Sequence, residues 1–286
     1  MVSPRIIALT LLAMLAFAGN SLLCRIALRD TSIDAATFTT ARLASGALML
    51  ILLARPWHRS RVGKGNWLSA VALFAYAAAF SFAYLSLTAA TGALLLFGAV
   101  QATMLGHGLW TGERLAAGQF AGLVLAAGGL LGLLLPGLQA PPLSAALLML
   151  GAGVAWGIYS LRGRGTGDPL RVTGGNFLRA APIAGLLSLV TASSASLDPL
   201  GIAYAVASGA LASGIGYALW YSALPSLSAS SASTVQLSVP AIAAIGGIVF
   251  LGEAATLRLL VAAVAILGGI ALVILGRRGA PISQRR

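Results

Sequence analysis

Long apolar runs, separated by short polar breaks, follow one another along the whole chain. A helix that crosses a bilayer core of about 30 Å needs about 20 largely apolar residues. Windows of that length predict ten spans, at 6–28, 34–54, 67–87, 90–110, 117–135, 143–161, 174–195, 199–221, 229–250 and 257–276. Some breaks are very short, such as Thr88-Ala89 and residues 137–142. Spans joined so tightly must be antiparallel neighbours, and the breaks leave no room for a folded soluble domain. The pattern predicts an all-α membrane protein.

The pattern also repeats. A shift of 140 residues places Gly112-Glu113 on Gly252-Glu253, Gly128-Gly129 on Gly268-Gly269, and Gly106 on Gly246. Slightly different offsets bring Phe17 opposite Trp156 and Arg42 opposite Arg179. The reading is one membrane domain built from two five-helix repeats, 1–140 and 141–286. Five is odd, so the repeats would lie in the membrane with opposite orientation, as in many secondary transporters with a substrate site near the midplane. The first window imitates a secretory signal, with Arg5, an apolar run and Ala16-Phe17-Ala18 before Gly19. Its counterpart in the second half argues for a retained span.

Composition agrees with a surface that faces lipid. Charged residues make up 8% of the 286, where a soluble domain carries roughly 25%. The net charge of +12 raises nucleic acid as a partner. The charges, however, sit in clusters between apolar runs, which favours a lipid bilayer and excludes nucleic acid. Arg5, Arg55, Arg59, Arg61, Lys64, Arg114, Arg162, Arg164, Arg171 and the tail from Arg277 to Arg286 fall on one side if ten spans alternate. Arg29 and Arg258 fall on the other. The positive-inside bias then puts both termini in the cytoplasm, and the bacterial inner membrane is the expected location. With Cys24 as the only cysteine and only His58 and His107 as histidines, no metal site or cofactor is expected. A phosphate-binding G-x-x-x-x-G-K-[ST] loop is missing as well.

Each half ends with an apolar helix, a Gly-Glu pair and a second apolar helix containing Gly-Gly, at 109–115 with 118–134 and at 249–255 with 257–275. Pro240 precedes the second pair, Arg42 sits inside the second span, and Trp156-Gly157 inside the sixth. This set resembles the EamA-type branch of the drug/metabolite transporter superfamily, over essentially the whole chain. The resemblance implies ten helices around a central cavity, alternating access, and export of amino acids or related metabolites. YddG-like aromatic amino-acid exporters are the nearest subgroup. One departure lies in the fourth span, where the family often has Pro and this chain reads Ala99-Val100-Gln101-Ala102.

Polar and aromatic side chains at mid-span are the candidates for a site, because facing lipid is costly for polar groups. Tyr76, Phe80 and Tyr84 share one face of the third span, either as helix packing or as a cavity wall. Phe97, Gln101 and Met104 share a stripe on the fourth. Asn20, Trp156, Tyr159, Tyr217, Tyr221 and Gln236 complete the substrate-binding set, each with packing or an interhelical hydrogen bond as the alternative. Trp57, Trp67 and Trp110 suit interfacial anchors. Pro240 is expected to kink its helix and free a backbone carbonyl. Arg42 and Arg179 are read as structural, with Asp34 or a backbone carbonyl as the partner of Arg42. Glu113 and Glu253 are expected to bond loop backbone.

All six acids fall at span ends or in loops, and His107 is the only histidine within a span. Facilitated diffusion therefore stands beside proton exchange. The main expectation is a non-enzymatic transporter of a small-molecule substrate. A lipid flippase or scaffolding protein is the alternative, and a polytopic membrane enzyme a distant third. The oligomeric state stays open, a monomer included.

Overall fold

The computed structural model describes residues 3–54, 65–112, 115–137, 140–163, 168–227 and 229–276. Its helices follow the hydropathy windows: α1 (Pro4–Asp30), α2 (Ala35–Leu53), α3 (Trp67–Tyr84), α4 (Ala89–Trp110), α5 (Ala117–Leu134), α6 (Leu143–Arg162), α7 (Pro169–Val190), α8 (Pro199–Ser226), α9 (Ala229–Gln236 with Ser238–Leu251) and α10 (Leu257–Gly276). Among the described residues, nine helices are long and apolar enough to cross a membrane. The other, α7, has the length at 22 residues but carries Arg171, Thr173, Asn176 and Arg179. The basic stretches at 55–64 and 277–286, with Trp57, His58, Glu113, Arg114 and Arg164, lie outside the described residues.

Polar residues at the breaks start the helices. Asp34, Asn66, Thr88, Asp168 and Asp198 each accept a hydrogen bond from backbone N–H groups of the following turn, which satisfies donors that a helix start otherwise leaves bare. At the end of α5 the orphan acceptors are met from another helix, since Arg258 of α10 donates to the carbonyls of Gly132 and Leu135. Arg258 thereby stays at the membrane edge.

Helices pair mainly between the two halves of the chain. The chief packings are α5 on α10, α2 on α7 and α8, α3 and α4 on α6, and α1 on α8 and α9. Without water to drive association in lipid, such pairings need close backbone approach. At Gly269 a Cβ would collide with the carbonyl of Gly122, and at Gly122 one would come within 2.5 Å of the carbonyl of Gly269. Of the two Gly-Gly pairs noted in the sequence, Gly129 and Gly269 face this interface. Gly128 and Gly268 have open space where a side chain would be.

Two helices depart from regularity. The nine residues Ala207–Ile215 of α8 are π-helical, a widening that recurs at functional sites. Gly209 lies there against the carbonyl of Arg42 and the hydroxyl of Ser45, so the backbones of α8 and α2 touch. α9 breaks at Leu237, where an i→i+3 bond from the Leu237 N–H to the Thr234 carbonyl replaces the α pattern. Pro240 lies three residues on, and its ring leaves the carbonyl of Gln236 without an α-helical donor. α4, its counterpart in the expected repeat, passes through Gln101 unbroken.

Candidate functional site

Hydrogen bonds fasten one end of the bundle. Glu253, just past α9, accepts from the backbone N–H of Ala89 with both carboxylate oxygens, at 3.1 and 2.9 Å. It pairs with Arg25 of α1 at 3.3 Å. Arg25 also donates to the carbonyls of Tyr84 and Leu85, and Arg29 to that of Leu251. Ser32 bonds Asp198, and the Ser196 N–H bonds Asp34, joining the starts of α2 and α8. Burial pushes the Asp34 carboxyl up, but hydrogen bonds from Thr37, Ser196 and Ala36 outweigh it and leave the group below its ordinary value. The N–H of Gly201 and the bonds from Ser32 likewise hold Asp198 low.

From the middle of the bundle towards the opposite end runs a cavity of about 460 Å³. It begins at Asn20 and Phe80 and reaches Gly163, Pro169 and Leu224, where α6 stops, α7 starts and α8 stops. Trp156 is its aromatic hub. The indole lies 4.7 Å from the ring of Tyr76, 5.3 Å from Tyr159 and 5.8 Å from Tyr217, centroid to centroid. Tyr217 in turn stacks on Tyr221 and meets Phe17. Hydrogen bonds fix the wall from behind: Asn176 donates to the Tyr159 hydroxyl at 3.3 Å, and Thr173 shares a bond with Tyr221 at 3.0 Å.

A polar chain crosses the cavity floor. The Ser208 hydroxyl, in the π segment, donates to Asn20 Oδ1 at 2.5 Å. Asn20 Nδ2 donates to the Tyr76 hydroxyl at 3.3 Å, and Arg42 Nη2 donates to the same hydroxyl at 2.9 Å. The guanidinium carbon of Arg42 stands 5.2 Å from the Tyr76 ring centre and 4.9 Å from that of Phe80, so the quadrupoles of both rings favour its charge. The expected partner, Asp34, does not reach it. One Asp34 oxygen caps Ala36 and Thr37 and the other takes the Ser196 N–H.

Of the residues singled out in the sequence, Asn20, Tyr76, Phe80, Phe97, Gln101, Trp156, Tyr159, Tyr217, Tyr221 and Gln236 line this one cavity. Tyr84 does not. It is fully buried with its ring 4.7 Å from Phe80 and its hydroxyl donating to the Ala89 carbonyl, and it fills the fastened end. Trp67 and Trp110 are 60% and 92% exposed on the outer surface. Sequence reasoning missed Arg42 as a lining residue, along with Phe17, Thr173, Asn176 and Ser213. Asn176 carried a legible signal, as a polar residue inside a predicted span, whereas Thr173 fell one residue before that span. The small-residue run holding Ser213 carried none.

Comparison with known proteins agrees with this architecture. A relative in Pseudomonas aeruginosa, uncharacterized protein PA1977, is 59% identical over 276 residues, covering 96% of both chains. The threonine/homoserine exporter RhtA of Salmonella typhimurium is 39% identical over 118 residues, and that of Escherichia coli 37% over 117. Those alignments cover 39% of this chain and 38% of the exporters. A solved crystal structure of a protein 20% identical shares the fold, with a TM-score of 0.68 over 96% of this chain and 99% of that one. The model of the EamA-like transporter family matches residues 143–275. With a bundle of membrane-spanning helices around a ligand-sized cavity, the chain belongs to the EamA-like transporter family, the EamA branch of the drug/metabolite transporter superfamily.

Proposed function

We propose that this chain exports amino acids or closely related metabolites across the bacterial inner membrane, by alternating access between inverted repeats 1–140 and 141–286. The observation that carries the reading is the cavity. At about 460 Å³ it falls within the roughly 300–1,000 Å³ of small-ligand sites. It is lined from both repeats and reaches only one end of the bundle. Exchanging α1–α5 for α6–α10 maps the α3–α6 packing onto α8–α1 and the α4–α6 packing onto α9–α1. It maps α2–α7 and α5–α10 each onto itself, the pattern that a two-fold axis in the membrane plane generates. The start of α1 with Arg5, the end of α6 with Arg162, and Arg171 lie at the end that the cavity reaches. The positive-inside bias makes that end cytoplasmic, so the cavity faces the side where an exporter loads.

The ten cavity-lining residues from Asn20 to Gln236 are the proposed substrate contacts, with the break at Leu237 and Pro240 as a hinge. The aromatic wall favours aromatic or apolar amino acids, whereas the partial likeness to threonine/homoserine exporters favours small polar ones. Counterflow into preloaded liposomes of labelled L-phenylalanine, L-leucine and L-threonine tests both. Saturable counterflow of at least one is expected. Lipid scrambling without counterflow of any would instead give the protein a flippase activity.

A further inference from the structure

We propose that Arg42 is the anion anchor of the cavity, so that the bound species carries a carboxylate beside an apolar body. The inference rests on the transport reading above and adds the charge of the substrate to it.

Arg42 is 2% exposed, and a guanidinium at membrane depth needs acceptors for its N–H groups. Nη2 has the Tyr76 hydroxyl, while Nε and Nη1 have no hydrogen-bond partner. The rings of Tyr76 and Phe80, 5.2 and 4.9 Å from the guanidinium carbon, stabilise the charge. Two of the neutral acceptors nearby are already engaged. The Tyr76 hydroxyl accepts from both Arg42 and Asn20, and Asn20 Oδ1 takes the Ser208 hydroxyl. Among the described residues no Asp or Glu lines the cavity. Asp34 is held by three backbone N–H groups, and Glu253 by Arg25 and Ala89. The cavity wall therefore carries a fixed positive charge with two unmet donors buried in it, and among the described residues no protein anion lines the cavity.

A carboxylate supplies what is missing, with two oxygens and about four acceptor sites, and a charge-assisted bond to guanidinium is the strong form of such a contact. Trp156, 4.7 Å from Tyr76, places a flat apolar surface beside the anchor, which fixes the second half of the ligand.

The test compares three probes of one shape on the purified protein by calorimetric titration: phenylacetate, phenylacetamide and phenethylamine. Phenylacetate is expected to bind at least about tenfold more tightly than the amide, as one or more charge-assisted hydrogen bonds require, and the amine more weakly still. Arg42→Gln is expected to remove the preference for the anion. If that variant does not fold, the three probes on the native protein decide by themselves. Equal binding of all three, binding of none, or an anion preference that survives in Arg42→Gln would overturn the anchor. Counterflow together with equal binding overturns the anchor and leaves transport standing. Selective anion binding without counterflow does the reverse.

Discussion

At the scale of single residues, Trp156 joins three helices through one ring, touching Tyr76 of α3, Tyr159 of α6 and Tyr217 of α8. Each such pair adds about 0.5–1.5 kcal/mol beyond burial, but the indole is only half-buried because it also faces the cavity. Trp156→Ala is therefore expected to raise the apparent KM for an aromatic substrate by about tenfold, the lost stacking, while most protein stays folded. Trp156→Phe should recover most of the affinity. Parallel losses of folded protein and transport, measured by size-exclusion profile and counterflow, would reduce the ring to packing. Trp156 and Tyr217 were legible because they lie too deep in their spans for interfacial anchors. The role of Arg42 was not. Sequence places Asp34 two helical turns away as an obvious partner, and only the folded chain shows both oxygens of Asp34 turned to backbone donors.

At the scale of elements, the spans themselves are written in hydropathy, and Pro240 marked the helix that breaks. The π segment left no trace, because a run of Ala, Ser, Gly and Leu from 207 to 215 reads the same at either helical pitch. The roles within each Gly-Gly pair were equally hidden, since only the packing of α5 on α10 decides which glycine meets a backbone. That difference can be measured. Gly269→Leu must push α10 away from the Gly122 carbonyl and the Ala126 backbone, and overpacking of this kind costs about 1–3 kcal/mol or more. Gly268→Leu points into open space. Thermal unfolding in detergent should show a clear drop for Gly269→Leu and little change for Gly268→Leu. Equal drops would mean that the α5–α10 interface does not depend on backbone contact.

At the scale of the whole molecule, the cavity reaches one end while Arg25, Glu253 and the start of α4 fasten the other. The proposed alternating access requires the Arg25–Glu253 pair to part. Nine helices able to span, among the described residues, followed from the sequence, but this division of labour between ends did not, because it depends on pairings between α1, α4 and α9 that hydropathy cannot register. The arrangement bears on energy coupling. A proton gradient biases the cycle only through a group whose protonation differs between the two access states. Among the described residues no Asp, Glu, His or Lys lines the cavity, and His107 is exposed on α4 outside it. Asp34 and Asp198 have carboxyl groups held below their ordinary values. They lose their protons at lower pH than free carboxylates do, and stay ionised through the neutral range. The protein in liposomes is therefore expected to move substrate down its own gradient with no imposed pH difference, and a pH gradient should not drive accumulation. His107→Ala should leave the rate unchanged. If accumulation does follow the pH gradient and disappears in Glu253→Gln, then the fastened end takes part in the coupling.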